Sequence, residues 1–97
     1  MDIHVDIDGT ICITKGMNYA QSVPIETRVQ HINKLYDAGH HITYWTARGT
    51  KSGQYWLYRT YKQLLSWGCK FHSLKVGKPA YDLFIDDKAV NSETYFS

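Results

Sequence analysis

The chain has 97 residues, of which 43% are hydrophobic and 21% are charged, and its formal net charge is +2. This length predicts a single domain, residues 1–97, with a modest hydrophobic core. The small net charge gives no reason to expect a nucleic-acid partner, and no apolar run or N-terminal leader predicts a membrane span or secretion. Two cysteines, Cys12 and Cys69, are too few for a disulfide framework and predict a cytoplasmic protein with free thiols.

The first predicted strand begins at Ile3 and ends in two carboxylates, a glycine and a hydroxyl. Asp6 and Asp8 are two residues apart, and side chains with this spacing lie on one face of a strand. Two neighbouring carboxylates resist ionising together unless a cation joins them. Gly9 and Thr10 complete the motif D-x-D-G-T. The D-G-T part alone is as typical of a simple turn, because Asp and Gly often end a strand for backbone reasons.

The next elements alternate between helix and strand. Residues 11–23 lack a long periodic pattern and predict a loop or short hairpin over the end of the first strand. Pro24 is expected to open a helix that ends at Gly39, with apolar residues at helical spacing between them. The segment His41–Trp45 is rich in β-forming residues and predicts the second strand, which ends at Thr46.

The second half of the chain repeats this alternation in shorter form. A helix is predicted over 54–67, followed by a short third strand over 71–74. Residues 75–81 form a linking loop. A last strand is predicted over 82–85, and a short tail follows it to the end of the chain.

Helices between strands predict parallel pairing and an α/β layered fold. In such sheets a ligand binds beyond the carboxyl ends of the strands. Polar side chains follow three of the predicted strands directly, and they are expected to meet at that edge: Asp6 and Asp8, Thr46, Asp86 and Asp87.

These residue types suit phosphate chemistry. Oxygen ligands favour Mg²⁺ over zinc, and Mg²⁺ commonly binds one or two carboxylates together with a phosphate. The Thr46 hydroxyl and the Lys78 ammonium would hold phosphate oxygens. Phosphoryl transfer needs this combination of charge neutralisation, positioning, a nucleophile and a proton donor, and an aspartate can itself be the nucleophile.

The motifs resemble those of the haloacid-dehalogenase (HAD) superfamily of phosphohydrolases. Four motifs carry the resemblance, from residue 3 to residue 87: D-x-D-G-T at Asp6–Thr10, the strand-ending Thr46, Lys78, and the acidic pair Asp86–Asp87. The regions 39–48 and 82–89 are most similar to the small phosphatases of bacterial capsule polysaccharide biosynthesis. The resemblance implies a small Rossmann-like three-layer sandwich with a mainly parallel sheet.

The resemblance also implies roles for the matched residues. Asp6 would attack phosphorus and form an aspartyl-phosphate, and Asp8 would protonate the leaving oxygen and later activate water. Mg²⁺ would bind Asp6, the Asp8 carbonyl and Asp86, with Asp87 bound directly or through water. The implied substrate is a small phosphomonoester, with a sugar phosphate as the leading class.

The sequence departs from the wider family in two respects. No segment is long enough to fold as a cap domain, and the usual helix before the last strand is missing. Seven residues, 75–81, would have to link two strands while nearly extended. This restricts where Lys78 can lie, so Lys75 is a reserve candidate for the phosphate-binding lysine. The shortened core predicts a homo-oligomer that uses exposed aromatic residues such as Trp56 or Trp67.

Arg48 lies two residues after Thr46 and is a candidate for binding the part of the substrate beyond the reacting phosphate. A guanidinium can bind phosphate or carboxylate through two hydrogen bonds. A surface arginine or a structural ion pair is the alternative. Other function classes remain open as well. They are a phosphoacceptor signalling domain, a non-catalytic module that binds phosphate and Mg²⁺, and an enzyme that transfers phosphate to a sugar.

Overall fold

In the computed structural model, all residues from 1 to 97 are described. The regular elements are, in chain order, β1 (Asp2–Asp6), β2 (Cys12–Ile13), a 3₁₀ turn (Tyr19–Gln21), β3 (Val23–Pro24), α1 (Glu26–Asp37), β4 (His41–Trp45), α2 (Leu57–Ser66), β5 (Ser73–Lys75) and α3 (Ser92–Tyr95). No helix in the fold combines the length and the apolar character needed to cross a membrane.

The main sheet has three strands in the order β1-β4-β5, and all of its pairs are parallel. Asp6 lies opposite Trp45 at the carboxyl ends of β1 and β4. Trp45 in turn lies opposite Lys75 at the end of β5. The predicted α/β fold with a parallel sheet is therefore confirmed. The sheet also brings the residues that follow β1, β4 and β5 to one edge, as expected for parallel strands.

The core consists of apolar side chains from β1, β4, both long helices and the turn after β1. Its fully buried members include Ile7, Ile11, Ile32, Ile42, Tyr44 and Leu64. Ile7 and Ile11 lie on either side of Asp8 along the chain, so the loop that carries Asp8 is anchored in the core at both ends.

The bounds of several elements differ by a few residues from those predicted from the sequence. The segment over 11–23 does contain a short hairpin, in which Cys12 pairs with Pro24. Helix α1 begins at Glu26 instead of at Pro24, since Pro24 belongs to β3. Helix α2 begins at Leu57 and β5 at Ser73, each a few residues later than predicted.

The strand predicted over 82–85 is wrong. Residues 79–90 form no backbone–backbone hydrogen bond, and Leu83 and Ile85 are 75% and 87% exposed. After β5 the backbone N–H of Lys78 donates to the Thr46 carbonyl at 3.1 Å, so the chain crosses the carboxyl end of β4. A parallel partner for β1 would have to start at the opposite end of the sheet, and the short link does not return that far.

Candidate functional site

The carboxylate of Asp6 lies at the carboxyl end of β1 and is the centre of the candidate site. Its side chain is 35% exposed, and Thr10 Oγ1 donates a hydrogen bond to its Oδ2 at 3.1 Å. Burial raises the pKa of Asp6 and the nearby charge of Asp8 raises it further, while Lys78 and Thr10 lower it only in part. Asp6 is therefore a reachable carboxylate whose negative charge is incompletely compensated.

Lys78 is the lysine that the fold brings to Asp6. Its Nζ lies 3.7 Å from Asp6 Oδ1 and donates a hydrogen bond to the Tyr81 hydroxyl at 2.8 Å. Burial lowers the pKa of Lys78, but the Tyr81 contact and the charge of Asp6 outweigh it and raise the pKa overall. The reserve candidate, Lys75, is exposed in β5 and forms no ion pair. Lys78 is thus a firmly charged ammonium beside the candidate nucleophile.

Asp8 is held by an arginine that lies 40 residues further along the chain. Arg48 Nε donates to Asp8 Oδ2 and Arg48 Nη2 donates to Asp8 Oδ1, both at 2.9 Å. The hydroxyl of Thr14 donates to Oδ1 at 2.6 Å. Burial raises the pKa of Asp8, but these hydrogen bonds and the guanidinium charge lower it overall. Asp8 is therefore a carboxylate held in its ionised form.

Arg48 itself is enclosed. Its side chain is 1% exposed, and its Nη1 donates to Thr60 Oγ1 at 3.3 Å and to Gln63 Oε1 at 2.7 Å. The structure therefore gives Arg48 the ion pair that was the alternative to substrate binding, and little of its surface is left for a ligand. Sequence reasoning assigned no role to Thr60 and Gln63, although their i, i+3 spacing places both on one face of α2.

Thr46 lies at the end of β4, as predicted, between the two charged clusters. It is 1% exposed, and its hydroxyl accepts the Arg48 N–H at 3.0 Å. Its carbonyl accepts the backbone N–H of Lys78. Thr46 therefore joins the loops that carry Arg48 and Lys78, and its hydroxyl proton is still available to a further acceptor.

The second acidic pair does not join this cluster. Asp86 and Asp87 lie in the exposed segment that lacks sheet pairing, where Asp87 forms an ion pair with the neighbouring Lys88 at 3.6 Å. No group of three or more His, Cys, Asp or Glu side chains is arranged to hold a metal ion. The expected convergence of four carboxylates is absent here because it depended on the strand over 82–85.

The turn after Thr46 follows Arg48 directly and contains two glycines whose substitution by alanine can be compared. Gly49 and Gly53 both have positive φ, and a Cβ on Gly49 would overlap the Gln54 carbonyl oxygen, whereas a Cβ on Gly53 would meet nothing within 4 Å. Gly53→Ala is expected to cost about 1 kcal/mol of unfolding free energy for its left-handed backbone. Gly49→Ala is expected to cost about 2 kcal/mol more because the backbone must shift. Urea unfolding measures both, and equal costs would contradict this account of the turn.

The fold is shared with a solved protein. A crystal structure of a structural-genomics target from Vibrio cholerae matches with a TM-score of 0.89, over 100% of this chain and 89% of that chain, at 23% sequence identity. At this identity the similarity shows the fold alone. No protein-family model matches the sequence, and no curated protein matches it at a significant level. The chemistry of the site is therefore the basis for assigning a function.

Proposed function

We propose that this protein is a phosphatase that hydrolyses a phosphomonoester through an aspartyl-phosphate on Asp6. One observation carries the proposal: a reachable carboxylate at the end of β1 lies 3.7 Å from a lysine ammonium and two residues from a second, ionised carboxylate. Asp6 would be the nucleophile, Lys78 a charge partner for the phosphate oxygens, and Asp8 the acid–base group. Together they match the needs of phosphoryl transfer.

In the first proposed step, Asp6 Oδ1 attacks phosphorus while the bond from phosphorus to the ester oxygen breaks. The leaving oxygen keeps the bonding electron pair and takes a proton from a water molecule. In the second step, a water molecule attacks the phosphoryl group, the Asp6–phosphorus bond breaks, and a proton from the water passes to Asp8. Because hydrogen bonds from Arg48 and Thr14 and the Arg48 charge lower the pKa of Asp8, this carboxyl group carries no proton near neutral pH. It is therefore not the proton source in the first step, and in the second step it is a weak base.

A magnesium ion fits one part of this site. Asp6 offers a partly exposed carboxylate whose charge is incompletely compensated, and Mg²⁺ commonly binds through one or two carboxylates plus substrate phosphate oxygens. Both oxygens of Asp8 are already engaged by Arg48, so its carboxylate is not the second ligand in this arrangement. When bound, the ion would neutralise charge on the phosphate during transfer. Asp6 would hold it, and Lys78 would share the phosphate oxygens.

The family and substrate class belong to the same proposal. We infer a capless member of the HAD superfamily with a Rossmann-like three-layer fold, resembling the capsule polysaccharide phosphatases, and a sugar phosphate as the leading substrate class. We also infer a homo-oligomer. Trp67 is less suitable for contact between subunits because it packs against the core, and the ring of Trp56 packs edge to face against Tyr19. The exposed side chains of Leu83, Phe84 and Ile85 are better candidates, and sedimentation at micromolar concentration tests this.

The test is phosphate release from a panel of sugar phosphates, nucleotides and aryl phosphates, with Mg²⁺ and with a chelator. We expect release that requires Mg²⁺. Because Asp8 is already ionised near neutral pH and has no proton to give to the leaving oxygen, we also expect aryl phosphates with acidic phenols to react faster than those with weakly acidic phenols. No release from any compound under either condition would contradict the proposal. Equal rates across the aryl series would contradict the inferred role of Asp8.

One observation favours a second candidate, a phosphoacceptor or phosphate-binding module. If Arg48 keeps Asp8 from exchanging protons altogether, Asp6 could still accept a phosphoryl group but would lose it slowly. Incubation with a small phosphodonor such as acetyl phosphate separates the two functions. A phosphoenzyme that persists for minutes, detected as an added phosphoryl mass, would favour the acceptor. Rapid release of inorganic phosphate would favour the phosphatase.

A further inference from the structure

A cleft of about 320 Å³ opens between the 3₁₀ turn and the start of α2. This volume is at the lower end of the range for small-molecule sites. Arg48 lines the cleft, and the same side chain holds the Asp8 carboxylate at 2.9 Å. Arg48 therefore contacts both the cleft and the Asp8 carboxylate.

Aromatic side chains form its walls, and their positions are fixed by contacts with one another. The rings of Tyr19 and Trp56 meet edge to face, with centroids 5.1 Å apart. Tyr19 also covers the Arg48 guanidinium at 4.9 Å. The side chain of Gln63 donates to the Tyr19 carbonyl at 2.9 Å, which ties the 3₁₀ turn to α2. The cleft is thus preformed and offers aromatic surface on which a ring can pack.

Two cations at the cleft have no acidic partner. The Arg59 guanidinium lies 5.2 Å from the centre of the Trp56 ring, and the Lys62 ammonium lies 6.0 Å from the centre of the Tyr58 ring. Neither forms an ion pair, whereas the charge of Arg48 is matched by Asp8. No acidic residue lines the cleft. An anion bound here would therefore meet two uncompensated positive charges.

We propose that this cleft binds the organic part of the substrate, and that this part contains a ring and a second anionic group. The ring would pack against Trp56 and Tyr19, and the second anion would pair with Arg59 and Lys62. The inference rests on the proposed phosphatase function, because the substrate would have to extend from the phosphate at Asp6 past Arg48 into the cleft. A phosphorylated acidic sugar and a nucleoside bisphosphate share this chemistry.

The experiment compares substrates that differ only in the second anion. Glucuronic acid 1-phosphate is paired with glucose 1-phosphate, and adenosine 3′,5′-bisphosphate with adenosine 5′-monophosphate. In at least one pair, we expect kcat/KM to favour the doubly anionic member by about tenfold or more, the effect of a charged hydrogen bond. The pair that shows this preference distinguishes an acidic sugar from a nucleotide. A ratio near one in both pairs would overturn the inference.

Variants locate the preference within the protein. The double variant Arg59→Gln/Lys62→Gln should bring the ratio close to one. The control Lys34→Gln/Lys51→Gln removes the same charge from exposed positions outside the cleft and should keep the ratio. Loss of the preference in both double variants would indicate a general charge effect and would contradict the cleft. The variant Trp56→Leu should weaken binding of the preferred compound about tenfold, roughly one stacking contact.

Binding measured without turnover separates this inference from the function on which it rests. Calorimetric titration of the Asp6→Asn protein with each compound reports affinity directly. One outcome is that no compound releases phosphate, while the doubly anionic member still binds more tightly and loses this advantage in Arg59→Gln/Lys62→Gln. This outcome would support the proposed binding cleft and contradict the proposed phosphatase activity. Phosphate release from both members of a pair, together with equal affinities, would support the phosphatase activity and contradict the proposed role of the cleft.

Discussion

Asp6→Asn is expected to lower phosphate release by at least about 1000-fold, the scale on which enzymes lose activity without their nucleophile. The amide has nearly the shape of the carboxylate but cannot form the aspartyl-phosphate. Thr10 can still donate to the amide oxygen, so the local backbone has little reason to move. Steady-state phosphate release with the best substrate of the panel, in the presence of Mg²⁺, measures the effect.

The same variant should not lose stability. Burial raises the pKa of Asp6, which means that the folded protein disfavours its charged form, and the neutral amide removes that cost. Asp37→Asn is the matched control, because Asp37 forms an exposed ion pair with Lys70 and such pairs contribute little. Both variants should unfold at urea concentrations close to that of the unchanged protein. Full activity in Asp6→Asn would show that another group attacks phosphorus.

The sequence was most informative where structure depends on neighbouring residues. The strand that carries Asp6 and the short hairpin after it were predictable, because β-branched runs and turn residues act locally. The parallel sheet followed from the alternation of helices and strands. The placement of Asp6 and Thr46 at one edge then followed from topology, since parallel strands end at one edge. Lys78 was a candidate through the family resemblance, with Lys75 in reserve.

The errors concern partners that are distant in the sequence. Residues 82–85 have β-forming side chains, but a strand also needs a neighbour whose direction the chain can match, and local preference does not reveal the path of the link. The pairing of Arg48 with Asp8 spans 40 residues, and spacing alone left an ion pair and a substrate contact equally open. Tyr19, Thr60 and Gln63 enter the site only through this arginine.

Arg48→Gln is expected to destabilise the protein by about 3 kcal/mol, because it leaves the partly buried Asp8 carboxylate without its cation. Asp8→Asn should destabilise it at least as much, since the Arg48 side chain is 1% exposed and would keep an unpaired charge. The double variant Asp8→Asn/Arg48→Gln should recover part of the loss, because neither charge remains. Urea unfolding at neutral pH measures the cycle. Strict additivity of the two single effects would show that the two side chains are not coupled.

The pH dependence of this loss tests its electrostatic origin. The pKa of Asp8 in the folded protein lies below its ordinary value of 3.8, so the pair stabilises the fold above that value, and this stabilisation is lost as the pH falls through the folded pKa. In Arg48→Gln, burial is opposed only by the hydrogen bonds from Thr14 and Cys12, so the pKa of Asp8 should rise and protonation becomes easier. The stability difference between the two proteins should therefore be largest near pH 7 and shrink below about pH 4. Arg59→Gln, which removes an exposed guanidinium without a carboxylate partner, should show no such trend. A difference for Arg48→Gln that stays constant with pH would instead indicate that the arginine acts through packing against Tyr19, Thr60 and Gln63.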